Sequence, residues 1–356
     1  MDFRYTKEQN DIRMAAQEFA AGEMAEDSQK WDEDKRTPDN MIRKAAELGF
    51  VGMALPEDLD GAGFGLMEEC LVIEAFSAVS AGAARAILEP GWGVEHFPIE
   101  GLPEPLHGVA EGNVKLGLAV PSRPLQVTTG DPILRVQVEM VAAHADFYLL
   151  FAIKDGEEGF FVVPSQTQSL GIIPLKGKLG LRAWAAADME LKESSIMDLS
   201  FVSSPNGFVR ARAAAAIRSG AQSIGLASGA TQHALKYAQN RRLFDQTLAD
   251  FEGTKEKLFL AWETISAARL LNLSAAAEWD KGGNGALTAG AALNRALTVA
   301  QEVTDVAVQL HGGYGYFEEM KVAMAYRDAK MLELISQPFS ITLQQSWSQL
   351  SNTTTW

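Results

Sequence analysis

The chain has 356 residues, is 47% hydrophobic and carries a formal charge of −15, a balance that predicts a soluble globular protein of two or three domains. The negative charge argues against a nucleic-acid partner, because neutralising phosphates requires clustered Lys and Arg. The single cysteine, Cys70, cannot form an internal disulfide, and the five histidines lack metal-ligand spacing. With no apolar run of about 20 residues and no signal-like N-terminus, we expect no membrane span and a cytoplasmic location.

The first part of the chain has the apolar spacing of helices. Two stripes recur at three- and four-residue intervals: Ile12, Ala15, Ala16, Phe19 and Ala20, and then Met41, Ile42, Ala45 and Leu48. A glycine-rich loop at 56–65 precedes a further amphipathic helix, predicted to run for about 18 residues from near Met67. We therefore predict a helical N-terminal domain over residues 1–110.

The middle of the chain changes to short runs of β-forming residues. The runs are separated by Gly, Pro and Asp and cover 116–120, 133–138, 147–153, 159–163, 170–174 and 189–191. This pattern predicts a β-rich middle domain over residues 111–205.

After Pro205 the pattern returns to long helices rich in Ala and Leu. Small residues recur at close spacing in 220–230 and 286–292, and a glycine turn at 282–285 divides two of the helices. Small residues allow close packing of helices, either within the chain or between subunits. We predict a C-terminal helical bundle and oligomerisation domain over residues 206–356.

Four segments carry a resemblance to a known family. They are the loop Pro56–Gly65, the segment Tyr237–Asp245 (Tyr-Ala-Gln-Asn-Arg-Arg-Leu-Phe-Asp), the segment Gln309–Tyr316 (Gln-Leu-His-Gly-Gly-Tyr-Gly-Tyr) and the segment Tyr326–Lys330 (Tyr-Arg-Asp-Ala-Lys). In this order they resemble the signatures of the acyl-CoA dehydrogenases, and the resemblance extends over essentially the whole chain. It implies the acyl-CoA dehydrogenase-like fold: an α-helical N-terminal domain, a β-sheet or barrel middle domain and a C-terminal four-helix bundle.

The resemblance also implies half of an FAD site. Arg241 and Phe244 match positions from which one subunit contacts the adenosine-diphosphate end of an FAD held mainly by its neighbour, and Gln309, Gly312 and Gly313 match the turn at the pyrophosphate. A guanidinium offers a forked set of donors to phosphate, and glycines allow the backbone to approach it. Taken singly, the arginine could instead belong to a solvated basic face and the glycine turn could be a helix cap.

Two further features qualify this half-site. Asp245 stands where the family usually has glycine, so that a carboxylate lies near the phosphate position. His311 is predicted to be a packed or capping histidine rather than an acid or base.

The other half of the flavin site is missing from the sequence. The segment 118–125 stands where the family usually has Thr-Glu-Pro-x-x-Gly-Ser-Asp, a segment that holds the flavin ring, and Ala119 and Val120 replace the Thr and Glu. Residues 134–148 contain neither the Trp nor the Thr that the family usually places against the flavin. We infer that this chain does not hold an isoalloxazine ring in its own middle domain.

The catalytic base is missing as well. The family's glutamate removes the substrate α-proton, but Ser336 occupies its position here, and a serine hydroxyl cannot take a proton without an adjacent base. The helix at 211–225, where some members carry the base, has no carboxylate either. Glu333 is the only nearby candidate and is more simply a solvated surface residue. We therefore assign no catalytic residue and no metal ligand.

The losses fall on what a subunit contributes to its own site, whereas the contribution to a neighbour's FAD remains. This pattern resembles the non-catalytic subunit of the heteromeric α2β2 acyl-CoA dehydrogenases of bacterial steroid side-chain degradation. It implies a homologous catalytic subunit in a heterotetramer, a shared FAD, an acyl-CoA substrate that undergoes α,β-desaturation, and electron-transfer flavoprotein as a candidate electron acceptor. The loss of an acyl pocket would leave room at the interface for a bulky substrate such as a steroid side-chain CoA thioester.

Two other classes of protein stay open. One is a self-sufficient homo-oligomeric acyl-CoA dehydrogenase with an atypical base such as Glu333. The other is a non-enzymatic scaffold on this fold, because a fold does not fix a function.

Overall fold

A computed structural model describes residues 4–57, 60–97, 108–129, 135–192, 199–283 and 285–339. Several predictions reach outside these residues, among them the start of the strand at 133–138, two residues of the loop at 56–65, one residue of the turn at 282–285, and the part of the domain 206–356 that follows Phe339.

The N-terminal part is helical, as predicted. Its helices are α1 (Lys7–Phe19), which continues as a π-helical turn to Met24, α2 (Ser28–Glu33), α3 (Asn40–Ala46), α4 (Leu66–Ser77) and α5 (Ala81–Leu88). Thr6 starts α1 with a capping box, since its Oγ accepts a hydrogen bond from the Gln9 amide while the Gln9 side chain accepts one from the Thr6 amide, both at 3.1 Å.

Two details of the helix predictions are wrong. The single helix of about 18 residues is two helices, because Ser80 has an extended backbone and its Oγ accepts from the Ala83 amide, which begins a new helix. Leu48, placed on the second apolar stripe, lies beyond the end of α3 and is exposed.

The middle part contains two β-sheets. Its strands are β1 (Leu116–Ala119), β2 (Leu125–Val127), β3 (Arg135–Ala142), β4 (Phe147–Lys154), β5 (Glu157–Pro164), β6 (Leu170–Pro174), β7 (Ala186–Lys192) and β8 (Ser200–Ser203). One sheet has the order β1-β4-β5-β8 with β2 also paired to β4, and the other has the order β3-β7-β6. β1 and β2 run parallel to β4, whereas the remaining pairs are antiparallel.

Both faces of the larger sheet are buried, because alternate side chains of a strand point in opposite directions. Tyr148 and Leu150 of β4 pack in a core shared with Met189 of the second sheet. Leu149 and Phe151 pack in a different core with residues of the N-terminal part and of the first C-terminal helix. The middle part is therefore held between its own second sheet and the helices.

Four long helices form the C-terminal bundle: α6 (Gly207–Asn240), α7 (Glu252–Asp280), α8 (Ala286–His311) and α9 (Lys321–Ser336). Alanines dominate the buried positions of α6 and α8, which lets the helix axes come close together. A short hairpin of β9 (Arg242–Leu243) and β10 (Gln246–Thr247) separates α6 from α7. None of the described helices has an apolar stretch sufficient to cross a bilayer.

The loop between β6 and β7 joins the three parts of the molecule. Asp328 of α9 is buried and accepts a hydrogen bond from the Leu181 amide at 2.6 Å. Arg327 donates to the Leu179 carbonyl and to the Asp32 carboxylate of α2, both at 2.8 Å. These bonds fix α9, and therefore its last residue, against the rest of the molecule.

Candidate functional site

The hairpin after α6 has a strained aromatic residue at its tip. Leu243 is paired with Gln246, so that Phe244 and Asp245 form a two-residue turn. Phe244 has a φ of 56°, a left-handed conformation that glycine adopts at lower cost than any aromatic residue. Its side chain is 95% exposed, so packing within the described chain does not offset this strain. The ring is therefore open to solvent in the part of the chain that the structure describes.

Arg241 has a fixed backbone and an unpaired side chain. Its amide donates to the Tyr237 carbonyl at 2.8 Å, and its carbonyl accepts from the Leu248 amide at 2.7 Å. The guanidinium is exposed and makes no ion pair with any residue that the structure describes. The neighbouring Arg242 instead donates to the Asp245 carbonyl at 3.3 Å. Arg241 is therefore available to an anion, and Arg242 stabilises the hairpin.

The turn Gly312–Tyr316 follows the end of α8 and contains three glycines, which differ in backbone conformation and in the space around their Cα atoms. Gly312 has a φ of 59° and its amide donates to the Gln309 carbonyl. At Gly315 a Cβ atom would lie 2.5 Å from the Val308 carbonyl oxygen, so that only glycine fits there. Gly313 has no positive φ, and a Cβ atom there would have no described atom within 4 Å. The space above Gly313 is open.

A ring stack joins the hairpin to the glycine turn. The rings of Tyr237 and His311 lie with centroids 4.2 Å apart and planes 25° apart. His311 is buried, its Nδ1 lies 2.7 Å from the Ala307 carbonyl oxygen, and burial lowers the pKa of the ring. The prediction of a packed histidine is confirmed. The stack brings the two segments, 237–245 and 309–316, to the same end of the bundle.

We call this surface, made of the hairpin residues 241–247 and the turn residues 309–316, the half-site. All five residues predicted from sequence to contact FAD are exposed on it: Arg241, Phe244, Gln309, Gly312 and Gly313. Tyr316 beside them is 92% exposed. An unpaired guanidinium, open glycines and exposed aromatic rings are groups that suit a pyrophosphate and an adenine ring.

The position of the missing base lies near Ala215 and Ser219, in the first half of α6. Ser336 is the last residue of α9, is completely buried, and its Oγ has no hydrogen-bond partner among the described residues. Glu333 is exposed, which confirms the surface interpretation of this glutamate. Neither side chain is arranged as a catalytic base.

The cavity next to Ser336 has a volume of only about 30 Å³. It is lined by residues from all three parts of the molecule: Arg85, Trp92, Leu118, Val120, Val138, Glu139, Met140, Ala215, Ser219, Ile335, Pro338 and Phe339. Small-molecule sites usually have about 300 to 1,000 Å³. We call this cavity the closed pocket, because neither a flavin ring nor an acyl chain fits in it.

Arg85 of α5 occupies much of the space around the closed pocket. Its side chain donates to Glu89 at 2.9 Å, and its guanidinium carbon lies 4.4 Å from the ring centroid of Trp184 and 5.4 Å from that of Trp92. Both Arg85 and Glu89 are buried. Removing one partner of a buried ion pair destabilises the fold, so the Arg85–Glu89 pair is a stable part of the interior.

A second buried ion cluster borders the closed pocket. Arg218 of α6 donates to Glu69 and to Glu95, both at 2.8 Å, and its guanidinium lies 5.3 Å from the ring centroid of Trp92. Although burial alone would raise the pKa of Glu95, the Arg218 charge lowers it to about 2. Burial lowers the pKa of His96 to about 4, which keeps that ring neutral at pH 7. The interior around the closed pocket is therefore charged and tightly paired.

Among the residues that the structure describes, the middle part contributes no flavin-holding group at the two positions where the family usually has Thr and Glu. Ala119 and Val120, at the positions of the expected Thr and Glu, are buried, and Val120 lines the closed pocket. These side chains have no hydroxyl or carboxylate for a flavin ring. The residues present do not fit FAD in this chain's own middle domain, whereas those of the half-site fit its adenosine-diphosphate end.

Sequence reasoning missed the residues that close the pocket, namely Arg85, Glu89, Trp92 and Arg218. One signal was present. Arg85 is the only charged residue in α5, Ala81–Leu88, where its neighbours are small or apolar and buried. An arginine in such a helix indicates a buried ion pair, but its partners are separated from it by up to 137 residues, as with Gln222. No group of three or more His, Cys, Asp or Glu in the described chain could hold a metal ion.

The helix, sheet and helix order, with a four-helix C-terminal bundle, defines a flavoprotein dehydrogenase-like architecture. The family model "Acyl-CoA dehydrogenase, N-terminal domain" matches residues 6–94, and "Acyl-CoA dehydrogenase, C-terminal domain" matches residues 208–336. The chain belongs to the acyl-CoA dehydrogenase family. Members of this family use FAD.

Two relatives and one solved structure illustrate the similarity. The caffeyl-CoA reductase-Etf complex subunit CarC of Acetobacterium woodii is 29% identical over 93% of this chain and 95% of its own length. The short-chain specific acyl-CoA dehydrogenase of Clostridium acetobutylicum is 27% identical over 94% and 95%. A glutaryl-CoA dehydrogenase of Mycobacterium smegmatis in complex with FADH2 has the same fold, with a TM-score of 0.82, 18% identity, and coverage of 99% of this chain and 96% of its own.

Proposed function

We propose that this chain is a non-catalytic subunit of a heteromeric, FAD-dependent acyl-CoA dehydrogenase and that it completes a partner's FAD site in trans. The observation that carries the proposal is the closed pocket: a cavity of about 30 Å³ lies where substrate and flavin would meet, next to a buried Ser336. The half-site, at another end of the bundle, is open.

The closed pocket argues against catalysis by this chain alone. Desaturation of an acyl-CoA requires a carboxylate in a dry pocket to take the α-proton, and a cofactor that accepts the hydride. Ser336 has no neighbouring base, and Glu333 points to the surface. Arg85 and Trp92 fill the space that an acyl chain would need.

The half-site supports a role towards a partner. When FAD is bound by the partner, it supplies the hydride acceptor. Arg241 would then pair with the pyrophosphate, Phe244 would pack on the adenosine end, and Gln309 would hydrogen-bond to the cofactor. Gly312 and Gly313 would let the backbone approach the phosphate oxygens. Each of these five residues is exposed in this chain and so is accessible to a neighbouring subunit.

Exposed apolar residues on α7 support association with another subunit. Phe259, Leu260, Trp262 and Leu270 are all exposed on this helix, and apolar patches of this kind usually mark interaction surfaces. The partner proposed here is a homologous catalytic subunit in a heterotetramer, and the proposed reaction is α,β-desaturation of an acyl-CoA. CarC belongs to a complex with Etf, and we extend to this chain the proposal that electron-transfer flavoprotein accepts the electrons.

The structure gives no support to a larger substrate space within this chain. Room for a bulky substrate is expected at the interface with the partner and stays a prediction, since the closed pocket, which Arg85 and Trp92 line, concerns the interior of this chain alone. A steroid side-chain CoA thioester as substrate, and steroid degradation as context, therefore rest on the resemblance alone.

The test is to count flavin. We expect the chain purified alone to be colourless and inactive, and the chain co-expressed with its catalytic partner to give a yellow, active complex with one FAD for every two chains. Arg241→Ala should lower the flavin content of that complex, whereas the matched control Arg43→Ala, at an exposed arginine of α3 outside the half-site, should keep it. A yellow and active chain alone would establish the self-sufficient enzyme, and a complex without flavin would establish the scaffold.

A further inference from the structure

The half-site is assembled from two segments that lie far apart in the sequence, and a stack of two aromatic rings lies where the two helices that carry them end. The hairpin is attached to the end of α6 and the glycine turn to the end of α8. Between them lies the stack of Tyr237 on His311, with ring centroids 4.2 Å apart. Tyr237 is hydrogen-bonded to Arg241 through the backbone, and His311 directly precedes Gly312.

On the α6 side, Tyr237 stands one helical turn before Arg241. Its carbonyl accepts the Arg241 amide at 2.8 Å, which is the last hydrogen bond of the helix. Movement of Tyr237 therefore moves the backbone from which the Arg241 guanidinium extends. The Leu248 amide, which donates to the Arg241 carbonyl at 2.7 Å, ties the return of the hairpin to the same residue.

On the α8 side, His311 immediately precedes Gly312. Its Nδ1 lies 2.7 Å from the Ala307 carbonyl oxygen, one turn earlier, so that the ring is held at both its edge and its face. Because His311 is buried whereas Gly312 and Gly313 are exposed, the ring anchors the start of the glycine turn in the interior.

We propose that Tyr237 and His311 form a positioning pair that sets the distance between Arg241 and the Gly312–Gly313 turn, and so matches the half-site to a pyrophosphate-bearing ligand. The inference rests on the proposed function, since it assigns a role within the same half-site. Neither residue needs to touch the ligand. The pair acts by keeping a guanidinium and an exposed stretch of backbone amides in register, because binding to both at once requires their spacing to be fixed beforehand.

The experiment uses the full chain and ADP as the probe, with binding followed by ligand-observed NMR at millimolar ADP. We expect weak binding by the wild-type chain. Tyr237→Ala should weaken it by about 2- to 10-fold, the worth of one aromatic stack, whereas Tyr237→Phe, which keeps the ring, should bind ADP as the wild type does. Thermal unfolding of each variant shows whether it is folded.

A positioning role has a signature that a purely structural role lacks. In an Arg241→Ala background, Tyr237→Ala should cause little further loss of ADP binding, because the group that it positions is gone. Equal losses in both backgrounds, or wild-type ADP affinity in Tyr237→Ala, would overturn the positioning role and leave the half-site intact. A wild-type chain that fails to bind ADP at all would overturn both the half-site and this inference. His311→Ala provides a second variant should Tyr237→Ala be unstable, with the same expected pattern.

Discussion

Replacing Phe244 by glycine should change the chain alone and the complex in opposite directions. In the free chain the ring is 95% exposed and its backbone is left-handed, with φ at 56°. Glycine removes the strain, which is worth about 1 kcal/mol for a residue in this region, and it loses almost no packing. The hairpin of β9 and β10 should therefore open less often.

In the complex the same change removes the Phe244 ring that packs on the ligand. Burying a phenylalanine side chain is worth about 1.5 to 3 kcal/mol, and each 1.4 kcal/mol is about tenfold in affinity. Phe244→Gly should therefore weaken flavin retention by roughly tenfold or more in spite of the firmer hairpin. Hydrogen exchange of the Leu243 and Gln246 amides measures the first effect, and FAD content after dialysis measures the second.

Phe244→Ala is the matched control. It removes the ring but keeps a side chain in the left-handed conformation, so that it should lose flavin without gaining protection in the hairpin. If Phe244→Gly keeps the wild-type flavin content, the exposed ring does not contact the cofactor and our reasoning about the tip of the hairpin fails.

Three further changes test other parts of the argument. Gly313→Ala should leave the stability of the chain unchanged or raise it by about 0.4 to 1 kcal/mol, while it lowers flavin retention in the complex. Gly315→Ala should instead destabilise the chain itself, because its Cβ would meet the Val308 carbonyl oxygen at 2.5 Å. Urea unfolding and flavin content distinguish the two variants. Ser336→Glu should confer no dehydrogenase activity and should destabilise the chain by about 2 kcal/mol or more, since it buries a carboxylate without a partner; activity with an acyl-CoA in the chain alone would contradict the closed pocket. Burial, assisted by the Asp32 charge, raises the pKa of Asp328 to about 7, above its value in the unfolded chain, so the stability that this group contributes is present at low pH and is lost as pH rises through 7. Asp328→Asn should flatten this loss of stability between pH 5 and pH 8, measured by urea unfolding. An unchanged slope would show that Asp328 does not titrate there.

Most of the fold could be predicted from the sequence because it depends on local periodicity. All six predicted strands occur, and the long helices after Pro205 are present. Two strands of the middle part were missed, β2 and β8, with three and four residues, as were the two-residue strands β9 and β10. Such short segments carry no detectable alternation, and β2 and β8 become strands only by pairing with β4 and β5. The extended backbone of Ser80, which divides the predicted helix, depends on one capping hydrogen bond.

The half-site was predictable in a way that the closed pocket was not. Its residues lie in two short segments, each of which is recognisable by itself, and only their spatial proximity needed the structure. The closed pocket depends instead on the direction of one side chain. Arginine is normally exposed, and the burial of Arg85 follows from Glu89, from the nearby Trp92 ring and from the ring of Trp184 in a distant part of the chain. The sequence showed that a base was absent, but it could not show that the space was filled.

The two regions satisfy different physical requirements. At and beside the closed pocket the buried charged side chains have partners within the chain: Arg85 pairs with Glu89, and Arg218 pairs with Glu69 and Glu95. At the half-site the opposite holds. Glycine would be less strained than phenylalanine at position 244, alanine would fit at position 313, and Arg241 has no partner in the described chain. Folding of this chain alone demands none of these three residues, so their roles are best sought in a molecule that binds there, and the flavin count of the complex measures whether that molecule is a partner's FAD.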